Sequence, residues 1–402
     1  MRVVLNQSTA LGARTGVGHY TAELLKSLRA LAPMDRLDAF PPSWWGQASR
    51  LASRVRSDRG QTSAAALPKP ASAPYRDRFT VGLRNLERQA LSSWFRLRTR
   101  MRSYDLYHEP NFIPLPSDIP TVVTLHDLSV LLHPDWHPAD RVAHYERYFH
   151  RGLKNVRHFL TVSEFTRQEV MRLLGVPAEC VTRTYLGIRS NLKPLSAEAT
   201  AEALQSTGLR PGYLLFVGTI EPRKNPLLLM RAYCDLPAAL RERCPLILAG
   251  GWGWNTAPIA EFHRDEARHR GVVQLGYVGE SRLAALYNGA RALVFPSLYE
   301  GFGLPPLEMM ACGGAVLASN AGSIAETVAG RAHLIDPHDL AGWRAALERV
   351  IQDDDWHASL RRGVVEWAAR YSWENCAAET IRVYRQVCEG EQHTMGSPLQ
   401  AA

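Results

Sequence analysis

The sequence predicts an α/β chain built as two Rossmann-like domains with a cleft between them, on three observations. Short apolar runs alternate with segments of helical period through most of the chain, which is the rhythm of parallel sheets covered on both faces. The rhythm runs twice, before and after a stretch near Leu186–Gly212. A length of 402 residues also exceeds what one ordinary core organises.

In order along the first half, Arg2–Asn6 reads as a strand and Gly18–Leu31 as a helix, with Tyr20, Leu24, Leu25 and Leu28 at helical spacing. Tyr104–His108 and Thr121–Leu125 read as strands, Arg141–Val156 as a helix and Phe159–Val162 as a strand. Ser163 then suits the N-cap of a helix Glu164–Leu174. In the second half the strands are Tyr213–Val217, Pro245–Ala249, Val272–Leu275, Leu293–Phe295, Ala315–Ala318 and His333–Ile335. The helices between them are Pro226–Leu236, Ser281–Gly289, Leu304–Cys312 and Ile324–Val328. Domain limits of 1–195 and 205–371 follow from this reading. Thr62–Pro74 is rich in Ala, Pro and Ser and reads as a mobile loop, and residues 390–402 as a disordered tail.

Composition narrows the function. No run of about 18 apolar residues is present, which excludes a transmembrane helix, and Met1–Asn6 reads as a strand rather than a signal peptide. Six scattered cysteines without a C-x-x-C pair argue for reduced thiols in the cytoplasm and against a disulfide framework or zinc site. Residues 1–200 carry 28 Lys/Arg against 17 Asp/Glu, whereas the remainder carries 19 against 22, so the excess charge belongs to the first half. That asymmetry suggests an anionic partner for the first half alone. Arg78–Arg102 mixes Phe79, Leu83, Leu86, Leu91, Trp94, Phe95 and Leu97 with arginines. Such a segment either packs its apolar face on its own domain or lies as a basic amphipathic helix on an anionic membrane surface. Nothing in the pattern points to nucleic acid.

Five segments carry candidate chemistry. Glu300-Gly301-Phe302-Gly303-Leu304-Pro305-Pro306-Leu307-Glu308 follows a buried strand end. Its prolines suit a first helical turn, so it opens a helix N-terminus favourable to phosphate, with Gly301 and Gly303 allowing close backbone approach. Glu308 is expected in the first turn of that helix, accepting sugar hydroxyls, with Glu300 on the loop side facing the same space. A paired-carboxylate glycosidase is disfavoured, because a helix N-terminus lowers the pKa that a general acid needs raised. Gly218-Thr219-Ile220-Glu221-Pro222-Arg223-Lys224-Asn225 follows a strand directly and sets two adjacent cations at its carboxyl end, suited to a diphosphate leaving group. Gly12-Ala13-Arg14-Thr15-Gly16-Val17-Gly18 lacks both phosphate-loop endings, and its modest reading is a loop whose amides face the cleft, Gly16 and Gly18 included. His126 and Asp127 arrive at a strand carboxyl end, and His108 and Glu109 end the preceding strand and share that space. Gly276-Tyr277-Val278 either reads a nucleobase edge through its backbone or is a simple turn. Gly250-Gly251-Trp252-Gly253 lacks the spacing of a dinucleotide fingerprint, which disfavours a dehydrogenase.

Together, the Glu300…Glu308 pair, Gly218–Asn225, the Leu275-Gly276-Tyr277-Val278 turn and the N-terminal glycine loop resemble the family 4 retaining glycosyltransferases of GT-B fold over almost the whole chain. Tyr371-Ser372-Trp373-Glu374 resembles the start of that family's last helix, which implies that 372–389 crosses back to the first domain. The resemblance implies that Arg223 and Lys224 grip the donor's diphosphate, Glu300 contacts the donor sugar, Glu308 holds the ribose and His126 lines the sugar site. Gly16, Gly18, Gly218, Tyr277, Val278, Gly301, Phe302, Gly303 and Leu304 then complete the donor side, with Asp127, His108 and Glu109 toward the acceptor. His126-Asp127-Leu128 and His133-Pro134-Asp135-Trp136 resemble the bacterial mannosyltransferases of surface-polysaccharide synthesis. The implied reaction needs neither cofactor nor metal. It moves mannose from GDP-mannose to a lipid-pyrophosphate-linked or growing glycan at the inner membrane face. A UDP-sugar donor, or a non-catalytic nucleotide-sugar or glycan-binding protein of the same fold, is the alternative.

Overall fold

The computed structural model describes residues 1–11, 16–32, 36–45 and 74–390. Residues 12–15 of the glycine loop, residues 62–73 of the expected mobile loop and residues 391–402 of the expected tail lie outside them. The chain forms two compact units. One comprises residues 1–134, 138–187 and 372 onward, and the other residues 135–137 and 188–371.

The first unit is a six-stranded parallel sheet of β1 (Arg2–Asn6), β2 (Arg36–Phe40), β3 (Leu106–Glu109), β4 (Thr121–Leu125), β5 (Val156–Thr161) and β6 (Val181–Arg183), in the order β2-β1-β3-β4-β5-β6. Val3, Val4 and Leu5 of β1 and Val122, Val123 and Leu125 of β4 are buried, as strands covered on both faces require. β1 and β3 run in register with Leu5 opposite His108. Ser163 caps the helix Glu164–Leu174 by accepting from the Thr166 N–H, and Gly175 ends it in the left-handed region. The last helix, Trp373–Cys388, capped by Ser372, packs on the helix Gly16–Leu31 and brings Trp373 to 6.0 Å from His19. The helix Pro74–Met101 sends Leu91, Trp94 and Phe95 into a cluster with Val4, Phe40, Tyr104 and Tyr107. Among the described residues, no helix is long and apolar enough to cross a membrane.

The second unit is also parallel and six-stranded: β7 (Tyr213–Val217), β8 (Leu246–Ala249), β9 (Val272–Gly276), β10 (Ala290–Phe295), β11 (Ala315–Ser319) and β12 (His333–Ile335), in the order β12-β11-β10-β7-β8-β9. One core runs through Leu214, Phe216, Leu246, Leu248, Val294 and Leu317 to Trp343 and Leu347 of the helix Leu340–Gln352. All six cysteines are free thiols, and five of them are buried.

Two expectations shift. The first unit ends at Gly187 rather than 195. The cause is polar anchoring: Asn288 accepts from the Leu195 N–H and donates to the Lys193 carbonyl, and Arg189 binds Glu308, all within the second unit. The helix Leu304–Ala311 begins at Leu304, so Glu308 is its fifth residue and lies beyond the first turn.

Candidate functional site

Sheets of this kind offer a crevice outside their carboxyl edge where strand order reverses. In the second unit the reversal falls between β7 and β10. Each of these strands delivers one loop there: Gly218–Asn225 after β7 and the loop from Ser297 to Gly303 after β10. The loops are tied together, with Leu298 N–H donating to the Arg223 carbonyl at 2.8 Å and Arg223 Nη1 donating to the Tyr299 carbonyl at 2.8 Å.

Glu300 is the meeting point. Lys224 Nζ lies 2.5 Å from its Oε1 and Arg223 Nη1 3.1 Å from its Oε2. Burial alone would raise the Glu300 pKa, but the Lys224 ammonium and Arg223 guanidinium outweigh it and hold the carboxyl below its usual range. Arg223 turns its other edge to Glu221, with Nη2 donating to Oε1 at 2.9 Å. Two cations and two carboxylates therefore compensate one another in a largely buried cluster. Lys224 also sits 5.2 Å above the Phe295 ring.

The Gly218–Asn225 loop is carried on a glycine platform that the sequence left without a role. Ile220 bridges Trp252, and Ile220 N–H donates to the Gly251 carbonyl at 2.9 Å. A Cβ on Gly250 would lie 1.8 Å from the Gly218 carbonyl oxygen, so that backbone approach admits glycine alone. Gly303 precedes the helix Leu304–Ala311 with φ +86, a left-handed conformation that again favours glycine. Gly301 and Phe302 are buried beside it, and Phe302 packs edge-on against Tyr371 at 5.8 Å. Tyr277 is 76% exposed at the end of β9, followed by half-buried Val278.

Glu308 is buried, and its charge is compensated by side chains instead of the helix terminus. Arg189 Nη1 lies 2.5 Å from Oε1, and Tyr287 Oη donates to Oε2 at 2.7 Å. Arg189 was missed by sequence reasoning because 119 residues separate it from Glu308. The one available signal was an Arg directly after the apolar Leu186-Gly187-Ile188 stretch.

The expected residues of the first unit behave differently. His126 Nε2 donates to the Pro110 carbonyl at 2.8 Å, and burial holds the ring below its usual pKa, so the imidazole is neutral with its lone pair on Nδ1. Asp127 accepts from the Ser129 N–H and Oγ and so stabilises its own turn. His108 and Glu109 do not line an open surface. His108 is fully buried between Tyr384 Oη (2.6 Å) and Thr124 Oγ1 (2.9 Å), and burial lowers its pKa to about 3. Glu109 accepts from Asn6 Nδ2, Tyr107 Oη and the Asn111 N–H. Gly16 is the exposed first residue of its helix, and a Cβ on Gly18 would meet the Thr9 carbonyl at 2.5 Å.

Comparison with known proteins agrees with this geometry. The family description Glycosyl transferases group 1 matches residues 202–367, and Glycosyltransferase Family 4 matches residues 44–191. The O-antigen chain mannosyltransferase B of Escherichia coli is 36% identical over 381 residues, covering 92% of this chain and 96% of that protein. Among solved structures, WaaG, a glycosyltransferase involved in lipopolysaccharide biosynthesis, matches with a TM-score of 0.69 at 15% identity, over 95% of this chain and 99% of that one. Sucrose-phosphate synthase from Thermosynechococcus elongatus matches with a TM-score of 0.68 at 19% identity, over 96% and 99%. These two likenesses are likenesses of fold. With the relative in hand, the chain belongs to the family 4 glycosyltransferases of GT-B fold.

Proposed function

We propose that this glycosyltransferase moves mannose from GDP-mannose to a hydroxyl of a growing, lipid-pyrophosphate-linked glycan, with retention at the anomeric carbon and without a cofactor or metal. The observation that carries the reading is the Arg223–Lys224–Glu300 cluster at the switch point of the second sheet, in a chain 36% identical to an O-antigen chain mannosyltransferase. Departure of a nucleoside diphosphate builds negative charge on its oxygens, and preorganised cations in a dry site stabilise that charge. Arg223 and Lys224 supply them. Glu300, kept ionised by the same pair, exchanges its cations for hydroxyls of the donor sugar as the diphosphate arrives. No side chain has to form a covalent bond to the sugar. The departing diphosphate oxygen takes the acceptor's proton on the face of attack. Glu308, held by Arg189 and Tyr287, accepts from the ribose.

The test is a thermal-shift series over GDP-, UDP-, ADP- and dTDP-sugars. GDP-mannose at about 100 times its dissociation constant stabilises by about 2.7 kcal/mol, and the others at equal concentration give less. A shift confined to UDP-sugars sinks the donor assignment.

Docking of the first unit on an anionic bilayer at the inner membrane face of the cytoplasm is part of the same reading. The helix Pro74–Met101 carries an exposed apolar stripe that flanks its buried face. Leu86, Leu97 and Met101 on it are 62%, 57% and 77% exposed. Arg96 and Arg100, also exposed, lie beside this stripe, and exposed Trp44 packs on Trp94 at 5.7 Å. Apolar side chains flanked by arginines suit a bilayer with anionic headgroups. Flotation with vesicles containing phosphatidylglycerol is expected at low salt and weakened by Leu97→Ser with Met101→Ser. A protein that never floats loses this part of the reading.

A further inference from the structure

We propose that Glu221 is a positioning residue for glycosyl transfer: it fixes Arg223 from behind while Glu300 changes partners. The role rests on the donor reading above and concerns a residue to which neither sequence nor resemblance gave a task.

The geometry of the guanidinium divides the work. Arg223 Nη1 faces Glu300 Oε2 (3.1 Å) and the Tyr299 carbonyl (2.8 Å), whereas Nη2 faces Glu221 Oε1 (2.9 Å). A diphosphate has to displace Glu300 from Lys224 and from Nη1 before those cations face its oxygens. During that exchange the Glu221 carboxylate stays on Nη2 and the Tyr299 carbonyl on Nη1, so the guanidinium holds its place. Glu221 is equipped to stay in place. It is 3% exposed, its loop is tied by backbone bonds to the Gly250–Gly253 platform, and a Cβ on Gly253 would lie 3.5 Å from its own Cβ.

A second observation argues that this carboxylate is not there for stability. Its Oε2 is buried and has no hydrogen-bond partner among the described residues. A half-satisfied buried carboxylate is a cost that packing alone does not explain, and such groups in native folds mark function. The negative charge has a further effect. It subtracts from the positive field of Arg223 and Lys224, so the product diphosphate is held less tightly than two unopposed cations would hold it.

The test compares Glu221→Ala, Glu221→Gln, Arg223→Ala and the double variant Glu221→Ala/Arg223→Ala, each checked for a wild-type unfolding midpoint. The readouts are kcat/KM for the donor and the dissociation constant of free nucleoside diphosphate. Residues acting as one unit are strongly non-additive, so Glu221→Ala should lose about 10- to 100-fold in kcat/KM and the double variant should be no worse than Arg223→Ala. Glu221→Gln keeps an oxygen for Nη2 and should lose only about threefold, while binding free nucleoside diphosphate about fivefold more tightly because one buried negative charge is gone. Additive losses, wild-type kcat/KM in Glu221→Ala, or equal losses in the Gln and Ala variants overturn the proposal. If Glu221→Ala does not fold, unchanged diphosphate affinity in Glu221→Gln overturns it by itself. A wild type that binds no nucleoside diphosphate strikes the donor reading, a result separable from all of these.

Discussion

Each unit places a glutamate near the carboxyl edge of its sheet beside the point where strand order reverses, and the two end in opposite electrostatic states. Glu109 closes β3 next to β1, while Glu300 lies in the loop after β10 next to β7. Both are buried. Burial raises Glu109 to about 7, against the pull of Tyr107, Asn6, the charge of Arg88 and the Asn111 N–H. Burial pushes on Glu300 too, but two cations in direct contact reverse the outcome. At the first switch point Asn6 donates to Glu109 (2.6 Å) and, among the described residues, no cation makes an ion pair with that carboxylate, while the second concentrates exchangeable charge. The same place in the two sheets thus holds a buried carboxylate in two different charge states, and the neighbours of each carboxylate set the difference.

Three experiments press on that contrast. The largest effect should come from Lys224→Ala, which removes one charge-stabilising donor and lowers kcat by about two to three orders of magnitude while the protein stays folded. A folded and fully active variant breaks the assignment of the second switch point. Next is a pH comparison of the two carboxylates. Glu109 has a raised folded pKa, so its cost is absent below its unfolded value of 4.5 and complete above about 7. Chemical denaturation should show Glu109→Gln gaining about 3 kcal/mol on the wild type between those limits. Measuring the difference cancels His108 and His158, whose pKa values burial lowers to about 3 and about 4 and whose stabilisation is lost as pH falls below 6.5. Glu300 has the opposite sign: its contribution is present above 4.5 and lost as pH falls through its lowered value. Acid should therefore open the second unit at its Glu300 cluster, read by hydrogen exchange at residues 297–303. The smallest effect is Gly303→Ala, where φ +86 costs an alanine about 1 kcal/mol and slackens the entry to the helix Leu304–Ala311.

Much of this was legible in the residues because it is local. Thr121–Leu125, Tyr213–Val217 and Ile324–Val328 have the limits their apolar runs imply, and the Ser163 cap needs only a serine before a helical pattern. β2 and β6 were not legible. Both are sheet edges, and Arg36-Leu37-Asp38-Ala39-Phe40 carries polar side chains that ion-pair on the surface, which erases the apolar signal. In the site, the adjacent cations and the first carboxylate were readable from spacing. The compensation of Glu308 was not, because Arg189 reaches it only through tertiary folding. The same holds for the platform under Gly218: a Gly-Gly-Trp-Gly string shows its purpose only when the backbone it touches is known.

The Arg189–Glu308 bond bears on how the second unit can be cut from the chain. A fragment begun at residue 205, where sequence periodicity suggests the domain starts, would strip the buried Glu308 of its guanidinium and Asn288 of its partners at Lys193 and Leu195. Leaving one member of a buried ion pair alone costs about 3–5 kcal/mol, a large part of a domain's stability. A fragment begun at Ile188 keeps all three contacts, so the sound place to divide the molecule is set by a side chain and not by the ends of its strands and helices.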